Sequence, residues 1–213
     1  MVICGGVDHY TEYRVLSEQE NDRLIAVSDE TDHHLAIANA TATRRNVLGE
    51  GAAFIVLESE AGVLKRNARK YAEIAEYHSN FDYHNVEDTT RRSVNIAGDA
   101  FEKFRSVISP GKKVAYLSAY TTTPQLQESE RPMLEKLQQE NEAYPLCHKA
   151  YTGDMKAASG VMGASIASQI LYGNQFPVEE APGQYPAGFD YAFVSTAHEG
   201  GGSSHLILKQ STR

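Results

Sequence analysis

The chain has 213 residues, enough to bury the core of one sizeable domain, and carries 28 Asp+Glu against 20 Lys+Arg, a formal net charge of -8. With no basic stripe, that balance excludes nucleic acid as an expected partner, and no apolar run approaches the roughly 20 residues of a membrane span. Cys4 and Cys147 lie far apart without CxxC spacing, and no basic region followed by an apolar stretch marks a signal peptide. The expectation is a cytoplasmic α/β protein forming a single domain over residues 1–213.

Taken in order, MVICGGV at Met1 to Val7 reads as a short apolar strand ended by glycines, a strand that needs neighbours to avoid an open edge. Asp8 to Arg45 is irregular and polar, a loop with one or two short helices. Gly49-Glu50-Gly51-Ala52 is a glycine turn feeding the nearly unbroken apolar run Phe54 to Leu57, which predicts a strand covered on both faces. Glu60 to Ala68 fits a short helix and Tyr71 to Tyr77 an alternating strand. In the HSNFDYH stretch that follows, His78, Asp82 and His84 match no closed metal-ligand set and read as polar loop residues.

Thr89 to Val107 predicts an amphipathic helix, with Val94, Ala97, Phe101 and Phe104 recurring at steps of three and four. Ser109-Pro110-Gly111 ends it. Val114 to Tyr120 is a strand, and Pro132 to Gln139 a helix with its proline in the first turn, where no backbone donor is missed. Cys147 and His148, adjacent in an extended segment, point to opposite faces and make no dyad. Phe189 to Ser195 and Ser204 to Lys209 predict two final strands joined by a glycine-rich hairpin, with His198-Glu199 in its loop. Gly200, Gly201 and Gly202 do not form a phosphate loop, because a strand and not a helix follows them.

Around Leu146 to Ile170, LCHKAYTGDMKAASGVMGASIASQI, the pattern changes. A lysine precedes a tight Thr152-Gly153-Asp154 turn, then comes a helix whose Ala157, Ala158, Gly160, Gly163, Ala164 and Ala167 leave almost no bulk on any face. Glycine costs helix propensity, so such a helix gains only if another backbone approaches it closely, which predicts burial between layers. This arrangement resembles the β-ketoacyl-(acyl carrier protein) synthases, condensing enzymes of the thiolase-like fold. The Gly49-Glu50-Gly51-Ala52 turn, the Gly-Gly strand at Met1 to Val7 and the glycine loop before the last strand are similar to that family in the same order.

The resemblance implies a thiolase-like fold of two similar halves stacked in five layers around two central helices, of which this chain matches the C-terminal half. That half has a mixed sheet with helices on both faces and a buried Gly/Ala-rich central helix; lacking its mate, the helix would expose apolar surface. The family carries its acyl group on a cysteine and stabilises oxyanions with two histidines. The cysteine belongs to the other half, so Cys4 is expected to be a buried, inert thiol. The histidine positions fall on Tyr120 (or Ala119, depending on a gap) and Asp154, while the family's lysine is Lys149, placed to pair with Asp154. A carboxylate opposes a developing oxyanion instead of donating to it. Gly200, Gly201, Gly202 and Ser203 match the substrate-side loop, without its phenylalanine gate.

The resemblance therefore implies a catalytically incomplete ketosynthase-like subunit of fatty-acid or polyketide synthesis, similar to a chain-length factor. Its partner would be a ketosynthase subunit or an N-terminal ketosynthase half, with an acyl carrier protein as a further partner, and it implies no cofactor and no metal. A split but active ketosynthase and a non-catalytic stand-alone module are the alternatives.

Overall fold

The computed structural model describes residues 1–9, 47–81, 100–120, 130–173, 186, 188–197 and 201–211. Two sheets organise them. β1 (Val2–Asp8) and β2 (Gly51–Leu57) pair antiparallel as a ribbon, with Gly5 opposite Phe54 and Ile3 opposite Val56. α1 (Glu60–Arg66) follows, its N-terminus capped by the Ser59 hydroxyl, which accepts from the Gly62 N–H at 3.3 Å. Asn67 ends the helix in the left-handed conformation at φ 48, and Lys65 and Arg66 sit in the last turn, where cations suit the helix dipole.

The larger sheet contains β3 (Glu73–Phe81), β4 (Lys113–Leu117), β5 (Glu142–Leu146), β6 (Tyr191–Ala197) and β7 (Gly202–Lys209), in the spatial order β3-β7-β6-β4-β5. β4 runs parallel to β5 and β6, while β7 is antiparallel to both β6 and β3. The predicted hairpin is thus present as β6 and β7, with residues 198–200 outside the described set.

Alternation sends the two faces of this sheet to two cores. On one face Val114, Tyr116, Phe193 and Ile207 pack under Phe101 and Phe104, from helical residues 100–104, and under Met133, Leu134 and Leu137. The last three come from α2 (Arg131–Glu140), which carries Pro132 at its start as expected. On the other face Ala115, Leu117, Ala192, Val194 and Leu208 pack against Ala167, Ile170 and Leu171. These belong to α4 (Ser159–Tyr172), reached through the single turn α3 (Lys149–Thr152) and a 3-10 turn over Lys156–Ala158. Each fully buried large side chain contributes about 1.5–3 kcal/mol, and Tyr116, Phe104 and Phe193 are the largest of them.

The small-residue helix has the layered setting its composition demands. A Cβ on Gly163 would stand 3.0 Å from Val194 Cγ1, and one on Gly160 3.2 Å from Thr196 Cγ2, so the glycines bring α4 close to β6. The ribbon lies on its other side, where a Cβ on Gly6 would fall 2.4 Å from the Ala157 carbonyl oxygen. The order of layers is helices, five-stranded sheet, α4, ribbon.

Several expectations change. The apolar run at Phe54 is covered on one face only: Ile3, Val7, Phe54 and Val56 share the ribbon's outer face and are exposed, while Ile74, Tyr77 and Phe81 are exposed on β3. Cys4 is half-buried on the ribbon, not fully buried. β4 ends at Leu117, leaving Ser118 to Tyr120 beyond the strand. β3 extends to Phe81 and takes His78 out of the expected loop, because alternation continues past Tyr77. His148 is helical, at φ -57 and ψ -30, not extended. Val94, Ala97, Asp82, His84, His198, Glu199 and residues 10–46 lie outside the described residues.

Candidate functional site

The parallel strands β4, β5 and β6 end on one side of the sheet, and the chemically loaded residues gather beyond those ends. From β5 the chain passes into α3, whose Lys149 is buried, and Gly153 closes the turn at φ 70 with its N–H donating to the Lys149 carbonyl at 2.8 Å. The next residue, Asp154, is 8% exposed, and its Oδ1 accepts from three donors: Lys149 Nζ at 3.2 Å, the Lys156 N–H at 3.1 Å and Ser159 Oγ at 2.9 Å. Burial pushes the Asp154 carboxyl up, but Lys149, then Lys156 and the Ser159 hydroxyl, outweigh it and hold the group below the usual carboxylate range. Asp154 is therefore an anion that only accepts, and it has no proton for an oxyanion.

The backbone of Asp154 is equally committed. Its N–H donates to the Val47 carbonyl at 2.7 Å and its carbonyl accepts from the Gly49 N–H at 3.2 Å, a short parallel bridge with the segment before β2. Gly49 and Gly153 meet here with no room for a side chain: a Cβ on Gly153 would lie 2.5 Å from Gly49 Cα. The Gly49-Glu50-Gly51-Ala52 turn and the lysine turn, two separate sequence matches, are one contact in space. Asp8 adds a tie, its Oδ2 accepting from the Ala157 N–H at 2.9 Å.

Tyr120 stands past the end of β4, one strand away, with its N–H donating to Ser118 Oγ at 3.0 Å. Sequence reasoning missed the residue that orders this segment. Glu130, 7% exposed, accepts from Ser118 Oγ at 2.6 Å and from the Ala119 N–H at 3.3 Å. Burial raises its carboxyl above the usual range despite those bonds and others from Ser195 and Tyr116. Glu130 precedes α2 among exposed-looking charges in QESERP, and no periodicity distinguishes it from Glu128.

The expected substrate-side residues lie at the same end of the sheet, on the β7 side, where Ser203 pairs with Ala197 at the end of β6. Gly201, at φ 93, and Ser203 are buried, and Gly202 opens β7 opposite Phe81 of β3. Gly200 lies outside the described residues. His148 is also buried, and burial, with Lys149 beside it, lowers its pKa to about 3, so its ring is neutral. It packs against α4, where a Cβ on Gly163 would lie 3.2 Å from its Nε2. Among the described residues no three His, Cys, Asp or Glu side chains converge as a metal site. No described helix is long and apolar enough to cross a membrane.

No protein-family model matches the sequence, and no curated protein matches it. Solved structures do. The ishigamide ketosynthase/chain length factor superposes with a TM-score of 0.68 at 18% identity, covering 99% of this chain and 54% of that one. The fold is ketosynthase-like. A β-ketoacyl synthase from Burkholderia phymatum gives a TM-score of 0.68 at 16% identity, over 99% of this chain and 54% of that one. A type II polyketide ketosynthase bound to its acyl-carrier protein gives 0.65 at 16% identity, over 98% and 50%. This chain thus spans about half the length of these three structures, and the mixed sheet, its two helical faces and the glycine-rich α4 agree with the expected C-terminal half of the thiolase-like fold.

Proposed function

We propose that this chain is a ketosynthase-like subunit of fatty-acid or polyketide assembly that lacks catalytic competence of its own and works with a partner ketosynthase, in the manner of a chain-length factor. One observation carries the reading. Asp154, where the resemblance puts an oxyanion-stabilising histidine, is buried with its Oδ1 taken up by Lys149, Ser159 and the Lys156 N–H. Tyr120, at the other histidine position, brings no imidazole either. The turn is organised as a support, and Lys149 is its counter-ion.

Two features support a partner. Its structural neighbours include a ketosynthase/chain length factor and a ketosynthase in complex with its acyl-carrier protein. The ribbon's outer face, with Ile3, Val7, Phe54 and Val56 exposed side by side, is suited to a second chain. The role is then to shape an acyl tunnel or to dock an acyl carrier protein, with Gly201 to Ser203 on the substrate side.

Isolation from the native host tests this. A complex with a ketosynthase is expected, together with no condensation of malonyl and acyl thioesters by this chain alone. Turnover by the lone chain would overturn the reading. In the reconstituted complex, turnover that survives Lys149→Met, with folding verified, separates the supporting role from a split active site in which Lys149 takes part.

A further inference from the structure

β3 and β7 pair in a register that puts His78 directly opposite His205, so both rings project from the same face of the sheet. That is the core face under residues 100–104. His78 stands edge-on to Phe104 at 6.2 Å between ring centroids, and His205 is tilted against Phe193 at 5.6 Å. His205 is 6% exposed, and both its ring nitrogens are buried without a hydrogen-bond partner, as is Nε2 of His78.

Nothing described around the pair suits an imidazolium. On β3, Glu76 is exposed and its Oε1 accepts from the Tyr77 N–H at 2.9 Å. In residues 100–104, Glu102 and Lys103 are exposed, and Glu102 is turned to Lys136 at 3.6 Å. On β6, Ser195 lies opposite His205, but its hydroxyl, like the Tyr116 phenol from β4, is engaged with Glu130. None of these groups bonds His205. A proton on its ring would be a buried charge without a counter-ion, facing a second imidazole, and only water relieves such a charge.

β3 is the element that can admit water, because it is an edge strand with β7 as its neighbour. Its two ends are held differently. Glu73 pairs with Lys209 at 3.0 Å and Lys70 at 3.3 Å, and Lys209, with Lys70, holds its carboxyl below the usual range. This clamp therefore persists where histidines take up protons. A bulge between Ile74 and Glu76 then interrupts the ladder. Beyond it the side-chain ties are long hydroxyl contacts, Tyr77 to Ser204 at 3.4 Å and Ser79 Oγ to the Ser203 carbonyl at 3.3 Å.

We propose that residues 76–81 form an acid-released flap: protonation of His205, opposite His78, opens β3 beyond its bulge while Glu73 stays anchored to Lys209. Opening uncovers the Phe104 side of the core next to Gly202 and Ser203, where β7 begins. The flap goes beyond the subunit reading above and does not depend on it. Burial, and then His78, lower the folded His205 pKa to about 4, against about 6.5 in an opened strand. The open form thus binds the extra proton, so opening gains as the pH falls below 6.5 and levels off below about 4. Between pH 7 and pH 5 that linkage raises the open population about 20-fold.

The test is amide hydrogen exchange of the full chain at pH 7 and pH 5, read by mass spectrometry and corrected for intrinsic rates. Residues 76–81 and 203–206 are expected to exchange about 20-fold faster at pH 5, with 113–117 and 191–194 unchanged. His205→Phe, which keeps a ring against Phe193 but takes no proton, should remove the acceleration. If that variant does not fold, the ring-nitrogen resonances of His205 in the parent decide, and a ring still neutral at pH 5 in the closed form is expected. A ring protonated at pH 5 while residues 76–81 remain protected would overturn the proposal. So would exchange at 76–81 that ignores pH, an acceleration shared by all five strands, or one that survives His205→Phe.

Discussion

At the scale of single residues, the Lys149–Asp154 pair sets what the turn can tolerate. Removing one partner of a buried ion pair strands the other charge at a cost of about 3–5 kcal/mol, so Lys149→Met is expected to lower unfolding stability by that order in denaturant titration. Replacing both residues with apolar ones of similar volume should recover much of the loss. Acid acts on the same turn. Because the folded carboxyl of Asp154 titrates below its unfolded value, its contribution is present above about pH 4 and disappears as the pH falls through the lowered folded value.

The buried histidines lose stability over a higher range. The unfolded chain binds their protons below about pH 6.5, whereas folded His205 and His148 resist until about 4 and about 3. Stability should therefore fall as the pH drops from 6.5, and His148→Leu is expected to flatten that slope. Glu130 works in the opposite sense. Its folded carboxyl is raised, so protonation on acidification favours the fold, and Glu130→Gln is expected to match or exceed the parent's stability at pH 7 while removing that gain. Thermal melts across pH 4–8 on the three chains would separate these effects.

Among elements, the glycine contacts are the most exacting. Gly153 combines φ 70 with a Cβ position 2.5 Å from backbone, so Gly153→Ala is expected to cost about 2–4 kcal/mol and to loosen the bridge to Val47 and Gly49. Gly163→Val should cost about 1–3 kcal/mol by forcing α4 off Val194 and His148, readable as a lower unfolding midpoint. The sequence announced α4 well, because a run of alanine and glycine in a helix has few uses other than close approach. Phe101 and Phe104 and the two last strands were legible for the same reason, a periodicity that the core then used. What stayed hidden was pairing between distant segments. Nothing local says that Gly49 faces Gly153, that His78 faces His205, or that Glu130 turns inward while its charged neighbours look alike. The strand at Phe54 misled because apolar continuity measures what a strand could bury, not what covers it.

For the whole molecule, the ribbon is the open question that solution measurements answer directly. Phe54→Ser and Val56→Thr alter its exposed face without touching either core, so both should leave the unfolding midpoint within about 0.5 kcal/mol of the parent. The same changes should weaken co-purification with a partner ketosynthase if that face is the interface. Unchanged association would move the interface elsewhere.

The strand order carries a consequence for how the chain is made. β3 has β7 as its neighbour in the sheet, and the paired residues Glu73 and Lys209 are separated by most of the chain. On a ribosome adding roughly 5–20 residues per second, β3 emerges many seconds before β7 exists, with Ile74, Tyr77 and Phe81 available to any passing strand. Until β7 arrives, β6 also presents an open edge, so the sheet closes in one late event that joins β3 to everything already assembled. Nascent chains halted before residue 202 should accordingly be held by chaperones or lost to aggregation, whereas chains released after 209 should pass directly to the folded state.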